Sequence, residues 1–224
     1  MRYLPGSERV LAQQQSSLPQ PEQLCGPFWV DVALRALTGA SPGITDIARS
    51  AGTLVYPHDL PAYRPASVMP RTVEWAGLPT TDDPNRSGTD ADGVHRALAG
   101  VHVVPVTGRF TGDGVRRLLA SLADGDPVVV IANVHTSFFA DADDPRVPWS
   151  WPVGHFVALI GFDDAGVAVA DSYPIGSPPG QYAQSLDAVA VALTRDGYGG
   201  GGVFVVGATE PNPAVTGSLH VGMW

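Results

Sequence analysis

Three residue types that together activate a sulfur nucleophile occur in this chain, each beside a segment that could hold it in place. Cys25, the one cysteine, lies in Gln-Leu-Cys-Gly-Pro-Phe-Trp ahead of an apolar stretch. His155 opens the apolar run His-Phe-Val-Ala-Leu-Ile-Gly-Phe, and Asp171 ends the next run, Gly-Val-Ala-Val-Ala-Asp. In cysteine enzymes a histidine removes the thiol proton, and a carboxylate orients the imidazole and stabilises its charge. The sequence therefore predicts thiolate chemistry with Cys25 as nucleophile, His155 as base and Asp171 as orienting group.

The residues after Cys25 favour this interpretation. An apolar pattern with helical spacing begins at Pro27, and proline is common at the first position of a helix because it lacks the amide hydrogen that the helix cannot use. A thiol beside a helix N-terminus ionises more readily than a free one. Gly26 leaves the backbone beside the sulfur open, so we expect it to contact the substrate.

Each of the three residues also has a structural explanation that involves no chemistry. A lone cysteine is usually a small buried apolar side chain, a histidine at a strand end can belong to the core, and Asp171 precedes the turn-like Ser-Tyr-Pro. A chain reversal at 163–166, however, would place His155 and Asp171 diagonally opposite on neighbouring strands, within reach of a hydrogen bond. One catalytic site then accounts for all three positions.

The apolar patterning predicts an α+β fold with N-terminal helices packed on an antiparallel sheet. Helices are expected at 27–38, 44–51 and 111–123. Two more are expected after the caps Thr89-Asp90 and Ser185, and these run to Ala99 and Thr194. Strands are expected at 101–106, 127–134, 155–162, 166–171 and 203–206.

The composition along the chain predicts one main domain between two terminal segments. Residues 1–22 are polar and rich in glutamine and proline, which indicates an ordered but irregular N-terminal entry strand or arm. The domain itself is expected at 23–207, interrupted by a proline-rich insertion at about 54–87, and 208–224 is expected to be a C-terminal tail. Long insertions of this kind in compact domains are usually functional or mobile.

Composition excludes several function classes. A chain of 224 residues suits a single domain, and its formal charge of −9 opposes binding to nucleic acid. All 13 basic residues are arginines, so Schiff-base and P-loop lysine chemistry is excluded.

Targeting and ligand signals are equally sparse in the sequence. No apolar run resembles a secretory signal or a membrane span, and a single cysteine fits a reducing, cytoplasmic setting. The histidines show no spacing typical of a zinc site, so no metal and no cofactor is expected.

The chain resembles the papain-like cysteine peptidases, specifically the bacteriocin-processing leader peptidases, which cleave after a double glycine, and their stand-alone relatives. Cys-Gly-Pro at a helix start is similar to the nucleophile motif of that family. The segments 154–164, Gly-His-Phe-Val-Ala-Leu-Ile-Gly-Phe-Asp-Asp, and 169–174, Val-Ala-Asp-Ser-Tyr-Pro, are similar to its histidine and aspartate strands. The likeness covers roughly residues 20–206, with weaker matches at the helices between these motifs.

This resemblance implies a papain-like fold, a triad of Cys25, His155 and Asp171, and a peptide or protein as substrate. The family usually carries an oxyanion-hole glutamine six residues before the cysteine, where this chain has Pro19. Gln20 and Gln23 are the two candidates to replace it.

The segment before His155 also departs from the family pattern. Trp149 and Trp151 precede the histidine closely, and they could line a peptide groove or cover the apolar end of the sheet. Gly154, directly before His155, is a further candidate for substrate contact.

These observations lead to several hypotheses. The first is a cysteine-dependent hydrolase or acyl transferase acting on a peptide or amide, with leader-peptide processing as the activity that the resemblance implies. A cyclase that tailors ribosomal peptides could use the same Cys/His pair. A catalytically degenerate peptide-binding protein is supported by the displaced glutamine, and an interaction protein by the proline-rich insertion. The sequence leaves the oligomeric state and the substrate open.

Overall fold

A computed structural model describes residues 1–57, 77–136, 154–194 and 201–211 of the chain. The α-helices are α1 (Ser7–Ser17), α2 (Cys25–Thr38), α3 (Ile44–Ala51), α4 (Ala91–Ala97), α5 (Gly112–Leu122) and α6 (Leu186–Leu193). A 3₁₀ turn covers Pro84–Arg86. The strands are β1 (Arg2–Tyr3), β2 (His102–Val106), β3 (Val128–His135), β4 (Gly154–Phe162), β5 (Gly166–Ala170), β6 (Gln181–Ser185) and β7 (Gly202–Gly207).

The strands form one antiparallel sheet in the order β2-β7-β3-β4-β5-β6, and β1 pairs with the far end of β4. Nearly every residue of β3 is buried, which explains why its sequence is almost wholly apolar instead of alternating. When helices cover both faces of a strand, neither face meets solvent, so polar residues do not alternate with apolar ones.

Two helical layers cover the sheet. One apolar cluster joins α1, α2, α3 and α4 to one face through alternate strand residues, which include Val129, Ile131, Phe156, Ala158 and Phe204. The other joins α5 and α6 to the opposite face through the intervening residues, which include Val130, Ala132, Val157, Leu159 and Val205. The predicted α+β class is therefore confirmed, with a second helical layer added to the N-terminal one.

Several sequence-predicted elements are confirmed closely. Helix α3 has the predicted ends, and Gly52 follows it with φ 72°, a left-handed conformation that glycine adopts readily. The Asp90 and Ser185 side chains accept hydrogen bonds from backbone amides in the first turns of α4 and α6, as predicted for caps. Strands β4 and β5 form a hairpin closed by a 2.9 Å bond from Asp163 N to Gly166 O.

The N-terminal segment is ordered and begins with a strand, as predicted, but the prediction that it is irregular is wrong. Residues 1–22 contain β1 and the three-turn helix α1, whose buried positions are Ser7, Val10 and Gln14. Two of these three are polar, so the helix lacks the apolar period by which amphipathic helices are recognised. Strand β6 was not predicted either.

Helix α2 begins at Cys25, two residues before the predicted start. Pro27 is consequently the third residue of the helix rather than the first. Its missing amide hydrogen still causes no loss, because the first four amides of a helix have no intrahelical acceptor.

Within the proline-rich insertion, the structure describes both ends. Leu54 pairs with Gly88 and Val55 with Thr80 in isolated bridges, and Val55 packs with Leu24, Ala48 and Leu78 in a small buried cluster. Residues 58–76 lie outside the described residues, as do 212–224 of the predicted tail. None of the helices that the structure describes combines the length and apolar character needed to cross a membrane.

The close approach of α3 and α4 generates a stability prediction. A Cβ atom on Gly93 would overlap the carbonyl oxygen of Ala51, and a backbone atom cannot move aside as a side chain can. Gly93→Ala is therefore expected to lower the free energy of unfolding by about 1–3 kcal/mol, the scale of core overpacking. Gly125→Ala is the matched control, since a Cβ there would lie 3.5 Å from its nearest neighbour, Leu122 O. Urea unfolding measures both, and equal stabilities would contradict the prediction.

Candidate active site

The structure places Cys25 as the first residue of α2, half-buried at the helix N-terminus. The helix is 14 residues long, and its aligned peptide dipoles give its N-terminal end a partial positive charge. The preceding residue, Leu24, makes no side-chain cap. The Cys25 side chain therefore lies at the positive end of the helix dipole, a position that favours a negatively charged group.

The β4–β5 hairpin brings His155 and Asp171 together. His155 is the second residue of β4, and Asp171 directly follows the last residue of β5. The pairing of Ala158 with Ala170 sets the register, and His155 Nε2 lies 2.9 Å from Asp171 Oδ1. The hydrogen bond expected from the hairpin is present in the structure.

Asp171 is a fully buried carboxylate with three hydrogen-bonding partners. Besides His155, the backbone amide of Tyr173 donates to Oδ1 at 2.9 Å, and the Tyr182 hydroxyl donates to Oδ2 at 2.6 Å. A buried carboxylate is costly unless its oxygens are satisfied. Here both oxygens have donors, which permits the charged form that an orienting group needs.

His155 is almost fully buried and lies between Asp171 and Cys25. Burial is the largest single influence on the pKa of His155 and acts to lower it, but the charge and hydrogen bonds of Asp171 and Cys25 outweigh burial and raise this pKa from 6.5 to about 10. Because Nε2 faces Asp171, the nitrogen left for the Cys25 thiol is Nδ1. The arrangement favours an imidazolium beside the sulfur at neutral pH.

Tyr173 connects the imidazole to Gln20. The rings of His155 and Tyr173 stack with centroids 5.0 Å apart and an interplanar angle of 12°. The side-chain amide of Gln20 donates to the Tyr173 hydroxyl at 3.2 Å, and its oxygen accepts from Ser172 Oγ. Gln20 N also donates to Ser172 O at 3.0 Å. Gln20 is thus anchored to the two residues that follow Asp171, and its second amide hydrogen has no acceptor among the described residues.

Gln23 has a different environment. Its side chain holds the backbone of Tyr56 from both sides, since Nε2 donates to Tyr56 O at 3.0 Å and Oε1 accepts from Tyr56 N at 2.7 Å. Its backbone has φ 66°, which is strained for a residue with a Cβ. Both glutamines therefore use both ends of the side-chain amide, but they differ in place: Gln20 is held beside the stacking partner of His155, whereas Gln23 is held to the backbone of Tyr56.

A buried glutamine on α1 supports the Asp171 loop from behind. Gln14 has no exposed surface, and its amide nitrogen donates to Asp171 O at 2.7 Å and to Gly180 O at 2.8 Å. Asp171 N in turn donates to Gly180 O at 2.8 Å. The loop from 171 to 180 is thereby closed at its base and attached to the N-terminal helix.

The residues predicted to contact substrate are Gly26, Gly154, Trp149 and Trp151, and the structure describes the two glycines. Gly26 is buried, and the position of its absent Cβ lies 2.9 Å from Val94 Cγ2 and 3.4 Å from Phe156 Cδ2. The small size of Gly26 thus serves the packing of α2 on α4 and β4, and its contact with a substrate stays a prediction. Gly154 is exposed at the start of β4. Trp149 and Trp151 lie outside the described residues.

Sequence reasoning missed three contributors to the site: Gln14, Tyr173 and Tyr182. Tyr173 is two residues after Asp171, so a search for aromatic neighbours of the histidine could have found it. Gln14 and Tyr182 gave no signal, because one lies on an unrecognised helix and the other on an unrecognised strand. Among the described residues, no group of three or more His, Cys, Asp or Glu side chains could hold a metal ion.

Comparison with known proteins gives a family but no activity. Residues 4–222 match a family of unknown function (DUF6885), so the chain belongs to that family. No curated protein matches the chain. Any chemical assignment therefore depends on the geometry of the site.

The raised pKa of His155 predicts how stability depends on pH. Folding raises this pKa from 6.5 to about 10, so the folded state holds the proton more tightly than the unfolded state. The resulting stabilisation is complete below pH 6.5 and is lost as the pH rises toward 10. In Cys25→Ser protein no thiol titrates, and the contributions of Cys25 to this pKa, which are smaller than those of Asp171, are absent. The free energy of unfolding should still fall as the pH rises above 6.5, with a slope of up to about 1.4 kcal/mol per pH unit, the value for one proton.

The control for this experiment is the double variant Cys25→Ser/His155→Gln, which has no imidazole at this position. Urea unfolding at intervals between pH 6 and 10.5 should show the decline in the first protein and a flatter dependence in the second. Parallel curves would mean that His155 is not protonated in the folded state above its ordinary range.

Proposed function

We propose that the protein is a papain-like, cysteine-dependent hydrolase or acyl transferase that acts on a peptide or amide bond. The observation that carries the proposal is the contact chain from Asp171 through buried His155 to Cys25 at a helix N-terminus. Each explanation without chemistry concerns one residue alone. A nucleophile–base–orienter arrangement gives one reason for both contacts and for the place of all three residues.

The proposed reaction follows from these positions. The Cys25 sulfur attacks the substrate carbonyl carbon and forms a tetrahedral intermediate. Its collapse breaks the C–N bond, and the imidazolium of His155 gives its proton to the departing amine. The thioester on Cys25 is then attacked by water or by an amine, from which His155 takes a proton. Collapse of this second tetrahedral intermediate breaks the C–S bond and restores the Cys25 thiolate. Water as acceptor completes a hydrolysis, and an amine completes a transfer or a cyclisation.

The intermediate's oxyanion needs preorganised donors. The amide of Cys25 belongs to the first turn of α2, where N–H groups have no intrahelical acceptor. Gln20 is the proposed second donor, because its amide is anchored beside the stacking partner of His155. This position weakens the case for a degenerate, binding-only protein, which was based on the displacement of this glutamine from the family position.

A peptide is the proposed substrate class, and leader-peptide processing is the activity implied by the resemblance to the bacteriocin-processing peptidases. Cyclisation of a peptide by the same Cys/His pair is the alternative. It differs only in the group that attacks the thioester, so the site residues have the same roles in both.

The first functional prediction concerns the reactivity of the thiol. Because the chain has one cysteine, iodoacetamide labelling followed by intact mass reports on Cys25 alone. We expect the wild-type protein to be alkylated rapidly well below pH 8, since an imidazolium favours the thiolate. His155→Ala should move the labelling profile to higher pH. His102→Ala is the control, because His102 lies on the edge strand β2 and is exposed.

Coincident labelling profiles for wild type and His155→Ala would contradict the proposed pair of Cys25 and His155.

In any activity found with a peptide library and mass spectrometry, Cys25→Ala and His155→Ala should each abolish nearly all turnover. The double variant should be little worse, because the two residues act as a unit.

The second functional prediction concerns the oxyanion hole. Loss of one such donor costs about 10²–10³ in rate, so Gln20→Ala should slow peptide turnover by that factor while the substrate's KM changes little. Gln23→Ala is the matched control, and because its amide holds Tyr56 instead, it should affect stability more than rate. A slow Gln23→Ala enzyme beside an unaffected Gln20→Ala enzyme would transfer the role to Gln23. Two unaffected enzymes would contradict the acyl-transfer mechanism.

A further inference from the structure

Tyr182 connects the last strand of the sheet to the candidate active site. It is the second residue of β6, the strand at the sheet edge, and it pairs with Val169 of β5. Its ring is half-buried and packs against the apolar cluster under α5 and α6. Its hydroxyl donates to Asp171 Oδ2 at 2.6 Å.

The two oxygens of Asp171 depend on different partners. Oδ1 is shared by His155 Nε2 and the Tyr173 amide, both at 2.9 Å. Among the described residues, Oδ2 has Tyr182 as its one donor. Since Asp171 has no exposed surface, removal of the phenol hydroxyl would leave a buried carboxylate oxygen without a donor.

We propose that Tyr182 is a positioning residue that keeps Asp171 charged and turned toward His155. The inference rests on the proposed function and adds to it a residue outside the three-residue constellation. In the proposed reaction Tyr182 supplies no group to the reacting atoms, and its hydroxyl donates to the Asp171 carboxylate, so its effect on the reaction passes through Asp171.

A hydrogen bond from a neutral donor to a carboxylate favours the charged form. Burial and the charge of Asp171 raise the pKa of Tyr182 well above 10, so the phenol keeps its proton and remains a donor throughout the working range of an enzyme. The second effect is orientation. Donors on both oxygens prevent the carboxylate from rotating away from the imidazole.

The titratable groups that face Asp171 come from three elements. His155 on β4 and Tyr182 on β6 contact it directly, and Cys25 on α2 acts on it through His155. From α1, Gln14 faces the backbone carbonyl of Asp171 and carries no charge. If loss of the Tyr182 hydroxyl changes how the reactivity of Cys25 depends on pH, the effect therefore reaches Cys25 through Asp171 and His155.

Tyr182→Phe keeps the ring and removes only the hydroxyl. We expect its Cys25 alkylation by iodoacetamide at pH 6.5 to be about tenfold slower than in wild type, on the scale of one hydrogen bond to a charged group, and its labelling profile to move to higher pH. Asp171→Asn should move the profile further. Tyr182→Phe added to Asp171→Asn should change nothing more, since residues that act through one partner are not additive. Tyr3→Phe is the control, because Tyr3 is 54% exposed.

The outcomes separate this inference from the proposed function. If His155→Ala and Asp171→Asn shift the profile while Tyr182→Phe matches wild type, the inference is overturned and the proposed function stands. If His155→Ala also matches wild type, the proposed function fails. A shift in Tyr182→Phe that persists unchanged in the Asp171→Asn background would assign the effect to packing and overturn the inference.

A second measurement covers the case in which Tyr182→Phe does not fold. Tyrosinate absorbance is recorded between pH 9 and 12 for wild type and Asp171→Asn. If Tyr182 donates to a charged Asp171, one tyrosine should titrate at lower pH in Asp171→Asn than in wild type. Identical titrations would overturn the inference.

Discussion

The contact between a buried imidazole and a buried carboxylate, His155 with Asp171, is the interaction on which the rest of the site depends. Transfer of two charges from water into a protein costs on the order of several kcal/mol per ion, and such a pair persists only when the remaining donors and acceptors are satisfied. Tyr182 and the Tyr173 amide occupy the carboxylate, and Cys25 faces the second ring nitrogen. These neighbouring groups thus supply the hydrogen bonds that allow the pair of His155 and Asp171 to be buried.

Two separate packing systems must agree for this pair to meet the sulfur. The β4–β5 register positions the histidine and the aspartate, whereas Cys25 is positioned by α2 in the N-terminal helical layer. The two systems meet at Gly26, where β4 and α4 approach the helix too closely for a side chain. The glycine after Cys25 therefore permits the close approach of the helix to the sheet, and this packing role is separate from the substrate contact predicted for it.

Helices and strands whose apolar residues recur at regular spacing could be predicted from the sequence, whereas elements without such spacing could not. The β4–β5 hairpin has apolar strands and a turn, so the approach of His155 and Asp171 followed from spacing alone. Helix α1 buries Gln14, and this glutamine binds carbonyls of residues 157 and 166 positions away. No local pattern encodes such contacts. Strand β6 is half-exposed at the sheet edge, so its composition is polar. The contact of Tyr182 with Asp171 therefore gives no signal in the sequence and becomes visible only in the assembled sheet.

Three consecutive residues after β5 couple the base to the proposed oxyanion donor. Asp171 binds the imidazole, Ser172 binds the Gln20 side chain and backbone, and Tyr173 stacks on the imidazole while its hydroxyl accepts from Gln20. A displacement of this segment would move the general base and the oxyanion donor together. Misplacement by about 1 Å can cost 10²-fold in rate, so the segment must be held firmly, and Gln14 holds its first carbonyl from α1. The N-terminal helix is for this reason part of the catalytic architecture that we propose, although it contributes no group to the reaction.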